Sequence, residues 1–164
     1  MRANEKELSY FAESGLHQLW IKIQVAKYRS FVICTTYHPS DTSLCCFDTA
    51  LSGTLTSALS LNEPIYILGG LNCNALNTND PGQNAFLNFC NCFNLTQLVE
   101  EPTRITEHSR TFIDVILTTT QNNVKQTVTI PCSIESFSKD YEYDNEYELR
   151  NFCGKLLLRV RAIS

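Results

Sequence analysis

The residues with the clearest chemical potential follow an apolar run, IYILGGLN, that begins at Ile65 and ends at Asn72. A short apolar run bounded by Pro64 and Gly69 is typical of a strand buried on both faces. Asn72 would then stand at the carboxyl end of that strand, where α/β proteins place their ligands. A plain Gly-Gly turn explains the same residues, and the run alone does not decide between a binding site and a turn.

A carboxylate, Asp114, lies inside a second apolar run, TFIDVILT. An unpaired buried charge is costly, so this carboxylate requires either a local donor such as Arg104 or Arg110 or a place in a polar site. Just before the run, Pro102 and Thr103 precede Arg104 and predict a rigid turn that carries a hydroxyl and a guanidinium group. These features provide an acid, an amide, a hydroxyl and a cation.

Five segments with alternating or β-branched apolar residues predict the strands that position these groups. The segments are residues 18–25, 30–37, 64–69, 111–118 and 124–130. The first two form a hairpin, and Ile21, Ile23 and Val25 share one face of its first strand. A brief extended piece is expected at residues 98–99.

Helical spacing predicts three helices between and after these strands. The first follows a cap at Asp41 or Thr42 and carries a core-facing stripe, in which apolar residues recur every four positions. The stripe consists of Phe47, Leu51, Leu55 and Leu59. The second helix spans residues 83–93, and a short amphipathic helix is expected over residues 147–160. The order of elements indicates a mixed α/β chain.

The composition is that of a globular protein, with 164 residues, 43% hydrophobic and 18% charged. The net charge of -4 argues against non-specific nucleic-acid binding, which depends on Lys and Arg. The polar N-terminus lacks a signal peptide, and no apolar run is long enough to span a membrane. We therefore expect an intracellular protein, cytoplasmic or nuclear, whose eight cysteines are reduced thiols.

Five motifs occur in a fixed order within residues 15–137: LWIKI, TTYHPS, ILGGLNCNAL, FNLTQLVEEPTRIT and TFIDVILTT. Together they resemble the endonuclease domains of non-LTR retrotransposons, which belong to the endonuclease/exonuclease/phosphatase superfamily. The resemblance implies a partial four-layer α/β sandwich of the DNase I-like class that lacks the N-terminal strands. Residues 138–164 would form a degenerate tail, which is where the third helix is expected.

The same resemblance implies roles for five residues. Tyr37 stands at the family's phosphate-contacting tyrosine, and Asn72 stands at the asparagine that orients phosphate or nucleophile. Asp114 matches the aspartate of the family's IDxI strand. Thr103 and Arg104 match a DNA-contacting loop and are expected to bind substrate.

Departures from the family pattern are as informative as the matches. Gly70 replaces the aspartate that activates water in these magnesium-dependent phosphodiester hydrolases, and Ser136 and Phe137 fall at the family's Asp-His pair. His38 stands where the family has an arginine, and His108 lies in the loop before the IDxI strand. The family's first asparagine and its metal-binding glutamate would precede the start of this chain.

These departures predict a catalytically inactive remnant of a DNA endonuclease, with no metal site and no bound cofactor. Two alternatives stay open: an active magnesium-dependent endonuclease with substituted site residues, and a non-enzymatic interaction module. DNA is the family's partner but is doubtful for an acidic chain. Because part of one sheet is expected to be absent, apolar sheet faces would be uncovered and would favour self-association.

Overall fold

The computed structural model describes residues 4–13, 16–24, 29–39, 47–72, 81–108, 110–129, 146–150 and 156–161. Within those ranges the chain forms eleven strands and two α-helices. They are β1 (Asn4–Glu13), β2 (Leu16–Gln24), β3 (Phe31–Tyr37), α1 (Phe47–Leu59), β4 (Ile65–Gly70), α2 (Pro81–Cys92), β5 (Thr96–Gln97), β6 (Arg104–Ile105), β7 (Arg110–Thr111), β8 (Asp114–Thr118), β9 (Val124–Thr129), β10 (Glu146–Arg150) and β11 (Leu156–Arg161).

A six-stranded mixed sheet, in the order β1-β2-β3-β4-β8-β5, forms the centre of the fold. β2 and β3 are antiparallel, so the predicted hairpin is confirmed. β3 and β4 are parallel, and α1 lies in the crossover that a parallel connection requires. β4 is buried along almost its whole length, as its continuous apolar sequence predicts. β1, which pairs with β2, was not predicted because its sequence is polar and charged.

The two helices supply much of the core through the predicted stripes. Leu51 and Leu55 of α1 are fully buried. Phe86 and Phe89 are the corresponding buried residues of α2, which begins two residues before the predicted start. Its first residue, Pro81, suits that position because a proline at the start of a helix loses no hydrogen bond. The expected cap at residues 41–42 lies outside the described residues.

A buried amide joins β2 to α1. Gln18 is only 1% exposed, and its Nε2 donates to the carbonyl of Ala50 at 3.1 Å. Its Oε1 accepts from Trp20 Nε1 at 3.0 Å and from Thr54 Oγ1 at 2.6 Å. Because both ends of the amide have partners, its burial does not leave the amide unsatisfied. The helices therefore cover the sheet face that Gln18 and Trp20 share.

The predicted strand over residues 111–118 is shorter than expected and begins at Asp114. Thr111 belongs instead to a separate two-stranded ribbon, β6–β7, in which it lies opposite Arg104. The hydroxyl of Thr103 accepts the backbone N–H groups of Ile113 and Asp114 at 3.1 and 3.0 Å. A side chain therefore replaces a neighbouring strand as the acceptor, and the chain changes direction there. The extended piece near residues 98–99 is β5, two residues earlier.

The expected helix over residues 147–160 is wrong. β10 and β11 form an antiparallel pair there, and β11 also pairs with β9 to complete a three-stranded sheet. β9 itself confirms the strand predicted over residues 124–130. Its Thr127 donates to the Leu98 carbonyl at 3.2 Å, which ties the small sheet to the chain beside β5. Strand partners so distant in sequence override the weak local preference of this segment.

Two features of the described residues bear on the earlier expectations. Neither described helix is both long and apolar enough to cross a membrane. Three of the cysteines, Cys34, Cys90 and Cys92, are free thiols. Cys34 is completely buried, and burial raises the pKa of its thiol well above the ordinary value. The thiol therefore stays protonated near neutral pH and behaves as a small apolar group.

Candidate functional site

Four residues form a row across the central sheet, here called the strand-end row: His17, Tyr37, Gly70 and Asp114. His17 of β2 lies opposite Tyr37 of β3, Tyr37 lies beside Gly70 of β4, and Gly70 lies opposite Asp114 of β8. The row crosses the carboxyl ends of β3 and β4 and the amino ends of β2 and β8. Residues in register across neighbouring strands share one face, so the register brings together four positions that are far apart in sequence.

Position 70 is the gap in this row. A Cβ atom placed on Gly70 would lie 3.4 Å from Asp114 Oδ1, 3.8 Å from Tyr37 Cδ2 and 3.9 Å from the Ile113 carbonyl oxygen. These are ordinary contact distances, so a Cβ atom fits without movement of the backbone. The position is thus surrounded by a carboxylate, an aromatic ring and a carbonyl, and it contributes no functional group itself.

The neighbouring glycine has a different reason to be there. Gly69 has a φ of +156°, and a Cβ on it would stand 1.7 Å from the carbonyl oxygen of Thr36. No side chain tolerates such an overlap, and the atom that it would meet is backbone of the adjacent strand. Gly69 is therefore needed for the close approach of β3 and β4, whereas Gly70 is not.

Asn72 and His38 connect the ends of β3 and β4. The His38 backbone N–H donates to the Gly70 carbonyl at 2.8 Å, and Asn72 Nδ2 donates to the His38 carbonyl. Asn72 has a φ of 52°, a left-handed conformation that asparagine tolerates better than most residues. Its backbone N–H donates to the Ile113 carbonyl at 3.3 Å, beside Asp114. The predicted site asparagine is therefore placed next to the row, where its amide holds two strand ends together.

The burial of His38 is a feature of the site that the sequence did not predict. The residue is 1% exposed and follows Tyr37 directly, so an imidazole is buried at the end of the row. From the sequence, His38 is expected only to stand in place of the family's arginine, although in TYHPS a polar ring ends an apolar strand. His108, the other histidine near Asp114 in sequence, is exposed between β6 and β7.

Thr103 reaches the row through the backbone of β8. It is 9% exposed, and its hydroxyl accepts from the N–H groups of Ile113 and Asp114. The Asp114 side chain is 5% exposed. Arg104, the other expected substrate-binding residue, is exposed on β6 and lies opposite Thr111. The hydroxyl is thus engaged by protein, while the guanidinium group faces solvent.

The structure accordingly brings Tyr37, Asn72, Thr103 and Asp114 together around Gly70. Ser136 and Phe137, predicted at the family's Asp-His positions, lie outside the described residues. No cluster of three or more His, Cys, Asp or Glu side chains suited to a metal ion occurs in the described part of the chain. Among the four row positions, Asp114 alone provides a carboxylate.

Comparison with known proteins gives matches at the level of structure. No protein-family model and no curated protein sequence matches the chain. The endonuclease domain of TRAS1, a telomere-specific non-LTR retrotransposon, superposes with a TM-score of 0.64 at 10% identity, covering 88% of this chain. An endonuclease/exonuclease/phosphatase family protein from Leptotrichia buccalis superposes with a TM-score of 0.54 at 12% identity, covering 99% of this chain.

A functionally unknown conserved protein from Enterococcus faecalis gives a TM-score of 0.50 at 11% identity and covers the whole chain. The chain spans 63%, 61% and 66% of these three structures in turn. At such low identity the likeness shows the fold alone. The expected fold class, a partial DNase I-like α/β fold, is confirmed.

Proposed function

We propose that this chain, which has a partial DNase I-like fold, is a catalytically silent form of a retrotransposon-type endonuclease domain. The observation that carries the proposal is the gap at Gly70, where the side-chain position faces Asp114 Oδ1 at 3.4 Å and no group is present. In the enzymes that the sequence resembles, an acid at this position activates water. Removing one member of a set of groups that act as a unit typically lowers the rate by several orders of magnitude.

The polar groups that are retained support the same proposal because each has a structural use. The Asn72 amide donates to the His38 carbonyl, and the Thr103 hydroxyl accepts two backbone N–H groups. Both would be kept for the sake of the fold even where no phosphodiester is cleaved. Their retention beside Asp114 therefore fits a site that has kept its shape and lost its base.

The decisive experiment is a nicking assay on supercoiled plasmid with Mg²⁺. We expect the wild-type chain to nick no faster than Asp114→Ala. Nicking by the wild type that Asp114→Ala abolishes would show an active enzyme and overturn the proposal. Because a contaminating nuclease would be equally active in both preparations, this matched variant separates the chain's own activity from background.

Binding without cleavage is a second candidate, favoured by the β6–β7 ribbon. Arg104 and Arg110 are exposed there, and Ile105 between them is 67% exposed. Exposed arginines neutralise phosphates locally, although the net charge of the chain is -4. DNA affinity that falls in Arg104→Gln/Arg110→Gln and with added salt would support this candidate. Equal affinity of the variant and the wild type would contradict it.

A further inference from the structure

We propose that His17 and Tyr37 form a stacking platform for a nucleobase of a single-stranded or flipped nucleotide. The proposal rests on the binding candidate above and names the part of the nucleic acid that the strand-end row would contact. The two rings are stacked, with centroids 6.5 Å apart and an interplanar angle of 27°. Both residues are exposed, Tyr37 by 46%, so these rings do not serve to fill the core.

The location of the platform connects it to the gap at Gly70. Tyr37 Cδ2 lies 3.8 Å from the place where a Cβ of residue 70 would be. Asp114 is two strands away from Tyr37, or about 10 Å at the usual spacing of strands. A base stacked on the Tyr37 ring of this pair would therefore hold its own nucleotide at the edge of the candidate site.

The charge of the row decides which part of a nucleotide would contact it. Position 70 is faced by the Asp114 carboxylate oxygen and by the Ile113 carbonyl oxygen, and both repel a phosphate. A base is uncharged and presents a flat π-face, so it avoids this repulsion and can stack on an aromatic ring of the pair. Base–aromatic stacking is worth about 1–3 kcal/mol per base and tolerates any sequence.

The test is fluorescence anisotropy with a labelled single-stranded oligonucleotide and with the same oligonucleotide made abasic. The wild type should bind the abasic strand more weakly by roughly 5- to 150-fold, which is the fold-change that corresponds to one lost stacking contact. Tyr37→Leu should weaken binding of the normal strand by a similar factor and leave binding of the abasic strand unchanged. Tyr37→Phe, which keeps the ring, should behave as the wild type.

Three outcomes would overturn the platform. The first is equal affinity of Tyr37→Leu and the wild type, and the second is equal affinity for normal and abasic strands. The third is a Tyr37→Phe variant that binds the normal strand as weakly as Tyr37→Leu does, because that result would assign the contact to the hydroxyl group. Leu87→Ala, at a 47% exposed position on α2, is the matched surface control and should keep wild-type affinity. Absence of any binding would overturn both platform and binding candidate, without touching the nicking result.

Discussion

The two adjacent glycines of β4 differ in what they tolerate. Gly69→Ala would place its methyl group 1.7 Å from the Thr36 carbonyl oxygen at a φ of +156°, so β3 and β4 would have to separate. We expect a loss of about 3 kcal/mol or more in the free energy of unfolding. Gly70→Ala should change it by less than about 1 kcal/mol. Urea denaturation followed by the fluorescence of Trp20 measures both, and equal losses would contradict the prediction.

A carboxylate at position 70 should repel the carboxylate of Asp114. Gly70→Asp would set a second negative charge near Asp114 Oδ1, whereas Gly70→Asn has nearly the same shape without the charge. We expect the aspartate variant to be less stable than the asparagine variant by on the order of 1 to 4 kcal/mol at neutral pH. In thermal unfolding, the stability difference between the two variants should become smaller when Mg²⁺ or Mn²⁺ is added. A stability difference that does not change when these ions are added would mean that the two carboxylates do not share a cation.

An ion pair at the other end of β4 predicts a pH dependence of stability. Glu63 Oε1 accepts from Lys22 Nζ at 3.1 Å and also from Ser30 Oγ. Burial raises the pKa of Glu63, but these hydrogen bonds outweigh burial and leave the pKa below its ordinary value. A pKa lower in the folded than in the unfolded state stabilises the fold above the unfolded pKa, and this stability is lost as pH falls through the folded pKa.

The variant Glu63→Gln tests this pH dependence of stability. We expect it to be less stable than the wild type by about 0.5–1 kcal/mol at neutral pH, the range of partly exposed pairs. The difference should shrink as the solution is acidified below the ordinary pKa of glutamate. Urea denaturation at a series of pH values measures it, and a difference that stays constant into the acid range would refute the assignment.

At the scale of elements, Thr103 determines where β8 begins. Thr103→Val keeps the shape and removes the acceptor of two N–H groups, which costs about 1–3 kcal/mol for each group left unsatisfied. Hydrogen exchange at the backbone amides of Ile113 and Asp114 should become faster in Thr103→Val and stay slow in Thr103→Ser. Exchange unchanged by the valine would show that the hydroxyl does not hold these amides.

The helices and strands that the sequence predicts correctly are those that depend on the pattern of residues within a single segment. The stripe of Leu51 and Leu55 predicts α1, and the apolar run from Ile65 predicts β4, because each depends only on spacing within one segment. The start of β8 depends on Thr103, eleven positions before Asp114. β11 depends on pairing with β9, far earlier in the chain, and β10 depends on pairing with β11, so no pattern within one segment carries that information.

At the scale of the whole molecule, one face of β2 and β3 is incompletely covered by described residues. Ile21, Ile23 and Ile33 are half-buried on the face opposite the helices. We expect concentration-dependent self-association through this face, which Ile21→Glu should reduce. Light scattering coupled to size exclusion measures the mass, and Leu61→Glu, at a 39% exposed position beyond α1, is the control. A wild-type monomer at every concentration would contradict the prediction.

The candidate site is likewise a property of the whole molecule. Motif resemblance selected Tyr37, Asn72, Thr103 and Asp114. The sheet register places Tyr37 and Asp114 on either side of Gly70, and hydrogen bonds to the backbone of Ile113 and Asp114 place Asn72 and Thr103 beside them. The burial of His38 was not predicted because it depends on the ends of two strands that meet only in the folded chain.

The gap at Gly70 has a consequence for how this sequence can change. Every glycine codon lies one base substitution away from a codon for aspartate or glutamate. At Gly69 such a substitution collides with the neighbouring strand, so selection for a folded protein removes it. At Gly70 a Cβ atom meets Asp114 Oδ1 and its other neighbours at ordinary contact distances. A second acid beside Asp114 is therefore within a single mutational step, and its Cβ atom would not overlap the neighbouring strand as it would at Gly69.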